Sequence, residues 1–343
     1  MKKLLNTLYV TTQGAYLKKD GETVAVKIDG SVKLRVPIHT LASIVCFGNV
    51  STSPFLLGLC AERNVTVSFL TENGRFLAKV VGPVSGNVLL RRQQYRIADD
   101  PEKSTGIAEN FLIGKIFNCR TVLERAKRDH PDKVDQERLG KESLSLKYAL
   151  RNIPKAGSLE SLRGIEGDAA NSYFSVFDEL ITNQKEKFFF RGRNRRPPTD
   201  RVNCLLSFGY TILLHDVRSA LEVVGLDPQV GFLHRDRPGR PSLALDLMEE
   251  FRAFIVDRLV LNLINLGQVK ADGFKTGSTG AVMMADETRK QFLTAYQKRK
   301  QDKITHPFIG EKAPIGILFH LQAQLFARFI RGDLGGYPPF LWK

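Results

Sequence analysis

The sequence predicts an α+β protein, with a small N-terminal β-sandwich-like domain followed by a larger all-α domain. Two observations predict it. β-Branched and aromatic runs are confined to the first 97 or so residues, and beyond them apolar residues recur mostly at helical spacing. The change of period falls at Ala98-Asp99-Asp100-Pro101-Glu102. We therefore place one domain at residues 1–97, a linker at 98–104 and a second domain at 105–343. A length of 343 residues is enough for two hydrophobic cores.

In the first domain the strand runs are Leu8–Val10, Thr23–Ile28, Val32–Val36, Ser43–Phe47 and Thr66–Leu70. Turn residues separate them, as at Asp20-Gly21 and Asp29-Gly30, and Asn73-Gly74 carries a hairpin signal. Residues 54–63, opening on Pro54, read as one short helix. In the second domain helical stripes run through Ile107, Phe111 and Ile113–Ile116, then Ile165, Ala169, Tyr173, Val176 and Leu180. The longest is Leu247, Phe251, Phe254, Ile255, Leu259 and Leu263. No repeat of solenoid period is visible.

Composition narrows the function classes. Lys plus Arg number 51 against 36 Asp plus Glu, giving a net charge of +15. An acidic scaffold is excluded, and a polyanionic partner is the first to test. Residues 1–100 carry 13 basic and 7 acidic side chains, leaving 38 and 29 for the remainder, so a folded basic surface explains the excess better than one basic tail. No run of about 18 apolar residues is present, which argues against a membrane span. The N-terminal apolar stretch is interrupted by Asn6, Thr7 and Thr11 and does not read as a signal peptide. The cysteines, Cys46, Cys60, Cys119 and Cys204, form no CxxC, and a reducing cytoplasm is the simplest setting.

Three segments carry candidate chemistry. In the first, Gly164–Phe174, Glu166 sits one residue off a buried helical stripe, flanked by the small Gly167 and Ala170. A solvated surface Glu is the commoner outcome for such a residue. The second is the Pro/Gly loop around His234, with Ser242 as N-cap of the next helix. Taken alone, a packing or hydrogen-bonding loop histidine is the better reading. In the third, Leu243–Arg252, Asp246, Glu249 and Glu250 occupy neighbouring faces of one helix and need a counter-charge, either a metal ion or an Arg such as Arg252. Acids suiting the helix dipole are the plainer account. Together a Glu, a His and a further carboxylate suit Mg²⁺ or Mn²⁺, and such an ion would polarise a phosphodiester.

A fourth segment, Lys185–Pro198, has net charge +5 over 185–196 and interleaves its basic residues with three Phe. That pattern suits phosphate contacts and base stacking. Lys187, Arg191, Arg193, Arg195, Arg196 and Arg201 are the candidate contacts here. Lys298 and Arg299, in a helix over 286–301, add a second strip. Asn203 and Tyr210 either orient DNA or simply pack and cap the helix over 202–214.

These segments, in this order, resemble a known family. GIEGDAANSYF, RNRRPPTDRVNCLLSFGY, GFLHRDRPGRPSLALDLMEEFR and the ending GDLGGYPPFLWK are similar to the CRISPR-associated adaptation integrase and endonuclease, the universal first Cas protein. VSTSPFLLGLCAERNVTVSFL and SGNVLLRRQQYR match as well, so the resemblance covers nearly the whole chain, and the variant looks like that of type I-C systems.

The resemblance implies a β-domain, an α-helical catalytic domain and a homodimer. The dimer joins a small second adaptation protein to insert short duplex DNA into a CRISPR repeat, with cleavage of branched DNA as a related activity. It places the metal ligands on Glu166, His234 and Glu249, with Asp246 as a further, supporting acid. Many relatives have Pro where this chain has Glu250, and helical spacing by itself permits either Glu249 or Glu250 to face the ion. A non-catalytic DNA-binding subunit and a plain metal-dependent nuclease are the alternatives.

Overall fold

The computed structural model describes residues 6–72, 76–80, 82 and 88–342. The Asn73-Gly74 hairpin signal lies outside them. The chain divides into two compact units, Met1–Gly86 with Asp286–Gln301, and Asn87–Ala285 with Asp302–Lys343.

The first unit holds β1 (Asn6–Val10), β2 (Tyr16–Asp20), β3 (Thr23–Ile28), β4 (Ser31–Pro37), β5 (Leu41–Phe47), β6 (Ser51–Thr52), α1 (Pro54–Glu62), β7 (Thr66–Leu70) and β8 (Phe76–Val80). They form two four-stranded sheets, ordered β1-β5-β7-β8 and β4-β3-β2-β6. Hairpins build the second sheet, with β2, β3 and β4 antiparallel in sequence order. The first is mostly parallel: β5 runs alongside both β1 and β7, and only β8 is antiparallel. Parallel neighbours need a crossover, and α1 lies on the one from β5 to β7. Ser53 starts α1 by accepting a hydrogen bond from the Leu56 N–H at 3.2 Å, and Pro54 fills the first turn. Leu17, Val24 and Val26 of one sheet, Ile44, Cys46 and Val67 of the other, and Leu56 and Leu59 of α1 share one core.

Helix Asp286–Gln301 belongs to this first unit, where Gln297 Nε2 donates to the Thr7 carbonyl at 2.9 Å. That differs from the expected 105–343 domain. So does the boundary, which falls at Gly86/Asn87, while residues 98–104 hold the end of helix Val88–Ala98, the two-residue joint Asp99-Asp100 and the first turn of helix Pro101–Asp129. Pattern reading missed both because residues 88–98 and 286–301 have ordinary helical spacing, and spacing says nothing about which core a helix faces.

The second unit contains α2 (Val88–Ala98), α3 (Pro101–Asp129), α4 (Gln136–Asn152), α5 (Leu159–Ser175), α6 (Arg201–Val224), α7 (Ser242–Phe251), α8 (Arg258–Asn265) and, after the Asp286–Gln301 helix (α9), α10 (Ile315–Ile330). Two short hairpins, β9 (Phe274–Thr276) with β10 (Val282–Met284) and β11 (Lys303–Thr305) with β12 (Lys312–Pro314), mean that it is not strictly all-α. Asp100, Ser158 and Asp200 cap α3, α5 and α6 by accepting first-turn backbone N–H groups. Gly225, at φ +88°, ends α6 in the left-handed conformation. Ser242 is not the cap expected of it: Pro241 precedes the helix, and the Ser242 hydroxyl donates to the Arg235 carbonyl at 3.2 Å.

Between α7 and α8, residues Arg252–Asp257 form a π-helical turn, so the long apolar stripe is two helices joined by a register change. The central α3 packs against α4, α5 and α7. It approaches α7 closely at Gly114, where a Cβ would lie 2.8 Å from Glu250 Cγ. The C-terminal tail packs on the same body. Phe340 stacks on Phe251 at 5.2 Å, and Trp342 lies 5.1 Å from Phe254. The Arg125 and Arg258 guanidiniums sit 4.1 and 4.3 Å from the Trp342 ring centre.

Candidate active site

One cavity in the second unit is lined by Lys115 and Cys119 of α3, Glu166 and Tyr173 of α5, Arg195, Tyr210 of α6, His234, Glu249 of α7, and Arg252 and Asp257 of the π turn. Glu166, His234 and Glu249 come from three separate elements and meet here.

Asp246 organises the His234 segment. It is fully buried, and its carboxylate accepts the backbone N–H groups of Phe232 (2.7 Å), Leu233 (3.1 Å) and His234 (3.0 Å). It also meets His234 Nδ1 at 2.6 Å. A carboxylate only accepts, so Nδ1 carries the proton and the Nε2 lone pair is left available. Gly231 makes the approach possible: a Cβ there would lie 2.8 Å from Asp246 Oδ2 and 2.7 Å from the Ser242 backbone. Arg163, one turn before Glu166, donates Nε and Nη2 to the Leu233 carbonyl at 3.0 and 2.9 Å, tying α5 to the histidine loop.

Glu249 and Glu250 part company. Glu249 lines the cavity, with Oε1 2.6 Å from Arg252 Nη1 and Oε2 3.1 Å from Lys115 Nζ. Burial pushes its pKa up, but Arg252, Lys115 and His234 outweigh that and hold it near 2. Glu250 faces the tail. It accepts from Tyr337 OH (2.6 Å), the Phe340 N–H (2.7 Å) and Gln322 Nε2 (2.9 Å), and with no cation beside it burial raises its pKa to about 8.

The sequence reading missed Lys115, whose ammonium bridges Glu166 Oε1 at 2.6 Å and Glu249 Oε2. Burial disfavours its charge, yet Glu249 and Glu166 keep its pKa above the usual lysine value. Its signal was a lone charge within the apolar run Leu112-Ile113-Gly114-Lys115-Ile116-Phe117. Asp257 was missed as well. It accepts from Tyr173 OH at 3.0 Å and from Tyr210 OH, and burial raises its pKa to about 6. Tyr210 thus lies at the cavity, with the Arg252 guanidinium 4.2 Å from its ring centre and that of Arg193 at 5.3 Å. Asn203 does not line the cavity. It binds Asp200, the Gly192 carbonyl and Arg193, and so shapes the basic loop.

The candidate DNA contacts divide in the same way. Lys187, Arg191, Arg195 and Arg196 are exposed, and Arg191 stacks 5.1 Å over the exposed Phe189. Phe188 and Phe190 are core residues. Arg193 is bound to Asn203 and Ser207, and Arg201 to the Lys187 and Ala271 carbonyls. On α9 of the first unit Lys298 is exposed and Arg299 is half-buried.

Among the described residues no three His, Cys, Asp or Glu side chains are closed around one metal position. The donor set nonetheless fits a hard divalent ion: two carboxylates, an imidazole with its second nitrogen held by Asp246, and a buried Glu249 Oε2 that has no hydrogen-bond partner and faces only an ammonium.

Carboxylates and a fixed imidazole facing arginines, on a helical body with a net positive charge, define an enzyme of phosphodiester chemistry. Known proteins narrow that class. A sequence model of the CRISPR associated protein Cas1 family matches residues 8–298. A CRISPR-associated endonuclease Cas1 of Chlorobaculum tepidum is 60% identical over 343 residues, the full length of both chains. A Cas1 protein from Thermotoga maritima has the same fold at a TM-score of 0.80 and 25% identity, covering 95% of this chain and 97% of that one. A casposase bound to an integration product shares the fold at a TM-score of 0.85 and 23% identity, covering 99% and 95%. The chain belongs to the Cas1 family of CRISPR-associated endonucleases. Among the described residues no helix is long and apolar enough to cross a membrane.

Proposed function

We propose that the chain is a divalent-metal-dependent integrase and endonuclease acting on DNA in CRISPR spacer acquisition. The carrying observation is that Glu166, His234 and Glu249, from three elements, line one cavity beside Arg195. Glu166, Glu249 and His234 would hold Mg²⁺ or Mn²⁺, which would supply Lewis-acid charge at a phosphodiester oxygen. Asp246 fixes the imidazole tautomer. Arg252 keeps Glu249 ionised and oriented. Arg195 meets phosphate at the cavity wall, while Lys187, Arg191 and Arg196 hold flanking phosphates electrostatically.

In the reaction a 3′-OH of a captured duplex fragment attacks a repeat phosphorus. One P–O bond forms, the bond to the displaced 3′ oxygen breaks, and the proton of the attacking hydroxyl ends on that oxygen or in solvent. Water in place of the 3′-OH gives hydrolysis, as on branched DNA. The family resemblance supports a homodimer, the small second adaptation protein as partner, and a cytoplasmic location.

A strand-transfer assay tests the reading. Protein with and without the small partner is given a duplex with free 3′ ends and a repeat-bearing plasmid, in Mg²⁺, Mn²⁺ or EDTA. Metal-dependent joining lost in Glu166→Ala and His234→Ala is expected. Cutting without joining reduces the protein to a nuclease, and binding without either reduces it to a DNA-binding subunit.

A further inference from the structure

We propose that Lys115 is an exchangeable internal cation: its ammonium neutralises Glu166 and Glu249 until a divalent ion takes those carboxylates, and it then turns to a non-bridging oxygen of the bound phosphodiester. The inference rests on the metal reading above and deepens it.

Position carries the first part. Lys115 Nζ lies 2.6 Å from Glu166 Oε1 and 3.1 Å from Glu249 Oε2, so it occupies the space between the two carboxylates proposed as ligands. Its side chain is only 12% exposed, and Glu249 Oε2 has no hydrogen-bond partner in its place. A metal ion bridging the two carboxylates and this ammonium exclude one another.

Charge carries the second part. Arg252 already holds Glu249 Oε1 at 2.6 Å, and Arg195 and Asp257 add one charge of each sign to the cavity wall, so carboxylates and cations balance before a metal binds, and the Asp246 charge is taken up by the histidine segment. Adding a divalent ion leaves a cavity of about 110 Å³ with excess positive charge. Lys115 has a flexible four-carbon stem and cannot leave α3, so it is retained where an anion is needed. A phosphodiester supplies that anion. The ammonium therefore couples the two ligands, opposing metal alone and favouring metal with DNA, and the coupling is reciprocal.

The test measures Mn²⁺ affinity by calorimetry and by the EPR signal of free Mn²⁺, with and without a short duplex, on the full chain. In wild type, DNA is expected to tighten Mn²⁺ binding about tenfold or more. Lys115→Met, a neutral side chain of similar length, is expected to bind Mn²⁺ at least tenfold more tightly without DNA and to lose most of the DNA-induced gain. It should also melt at lower temperature in EDTA. Lys115→Arg, which keeps the charge, is expected to bind Mn²⁺ no more tightly than wild type, and keeps the proposal open to refutation if Lys115→Met fails to fold. Unchanged or weaker Mn²⁺ binding in a folded Lys115→Met would overturn the proposal, as would tighter binding in Lys115→Arg. Glu166→Gln separates the two readings. If it binds Mn²⁺ like wild type, the metal site itself is misassigned, whatever Lys115 does.

Discussion

His234 Nδ1 lies 2.6 Å from Asp246 Oδ1, and the same buried carboxylate receives three consecutive backbone N–H groups. One side chain therefore fixes a loop conformation, a ring orientation and a tautomer together. Asp246 is also one helical turn before Glu249, so α7 positions both the imidazole and a carboxylate of the cavity wall.

Replacing that acceptor should separate binding from chemistry. Asp246→Asn offers one oxygen where four donors converged, so the ring loses its fixed tautomer. We expect metal affinity or turnover to fall by roughly 10–100-fold. DNA affinity measured in EDTA by fluorescence anisotropy should be unchanged. Full retention of metal affinity and activity would contradict the positioning role.

Gly231 should tolerate no side chain. A Cβ would lie 2.7 Å from the Ser242 backbone and 2.8 Å from Asp246 Oδ2, neither of which can swing away. Gly231→Ala should cost about 1–3 kcal/mol, read as a lower denaturant midpoint, with activity falling alongside. A stability equal to wild type would show that the loop relaxes freely.

Glu250 makes stability depend on pH with a predictable sign. Its pKa rises from 4.5 to about 8 on folding. Between those values the folded state holds a proton that the unfolded state lacks, so its contribution falls as pH rises. The slope is about 1.4 kcal/mol per unit at most, and the loss is complete above pH 8. Glu250→Gln should remove this slope in melts between pH 5 and 8. Glu250→Ala should destabilise at every pH, because Tyr337, Gln322 and the Phe340 N–H lose their acceptor.

The basic loop should show two kinds of arginine. Arg191→Ala, Arg195→Ala and Arg196→Ala should weaken duplex binding, each lowering the steepness of log K against log salt by about 0.9, the share of one neutralised phosphate. Arg193→Ala should leave that slope alone and lower stability by about 1–3 kcal/mol, since its guanidinium, with a pKa pushed down to about 10 by burial, binds Asn203 and Ser207.

The strands of the first unit were legible where β-branched residues alternate between turn residues, and five runs became β1, β3, β4, β5 and β7. β2, with the sequence Tyr-Leu-Lys-Lys-Asp, was not, because two lysines and an aspartate hide its strand pattern. The π turn was invisible: its residues are as apolar as the helices on either side. Glu166, His234 and Glu249 were each weak candidates alone, and the resemblance of their segments, in order, to one family is what drew them together. Lys115 stands out in the sequence only as a lone charge in an apolar run and Asp257 not at all, and only the packing of α3 and the π turn against α5 and α6 gives them a role. Spacing left Glu249 and Glu250 open and the family resemblance pointed to Glu249; the side-chain surroundings put Glu249 at the cavity and Glu250 at the tail. Adjacent helical residues differ by about 100°, enough to point one at the cavity and the other at the tail.

The π turn has a consequence for which changes in chain length the protein can accept. In an α-helix Arg252 and Asp257 would be about 140° apart. Here both reach Tyr210, Arg252 over its ring and Asp257 through its hydroxyl. The wider turn inserts one residue of slack, and everything from Arg258 onward inherits that offset. Straightening the turn into an α-helix at constant length would rotate α8 by about 100°, carrying Leu259 and Leu263 out of the core and Arg258 away from Trp342, whereas deleting one residue from 253–256 would remove the slack and leave α8 in its present register. A single-residue deletion within this turn is thus better accommodated by α8 than a single-residue insertion, which would add a further offset.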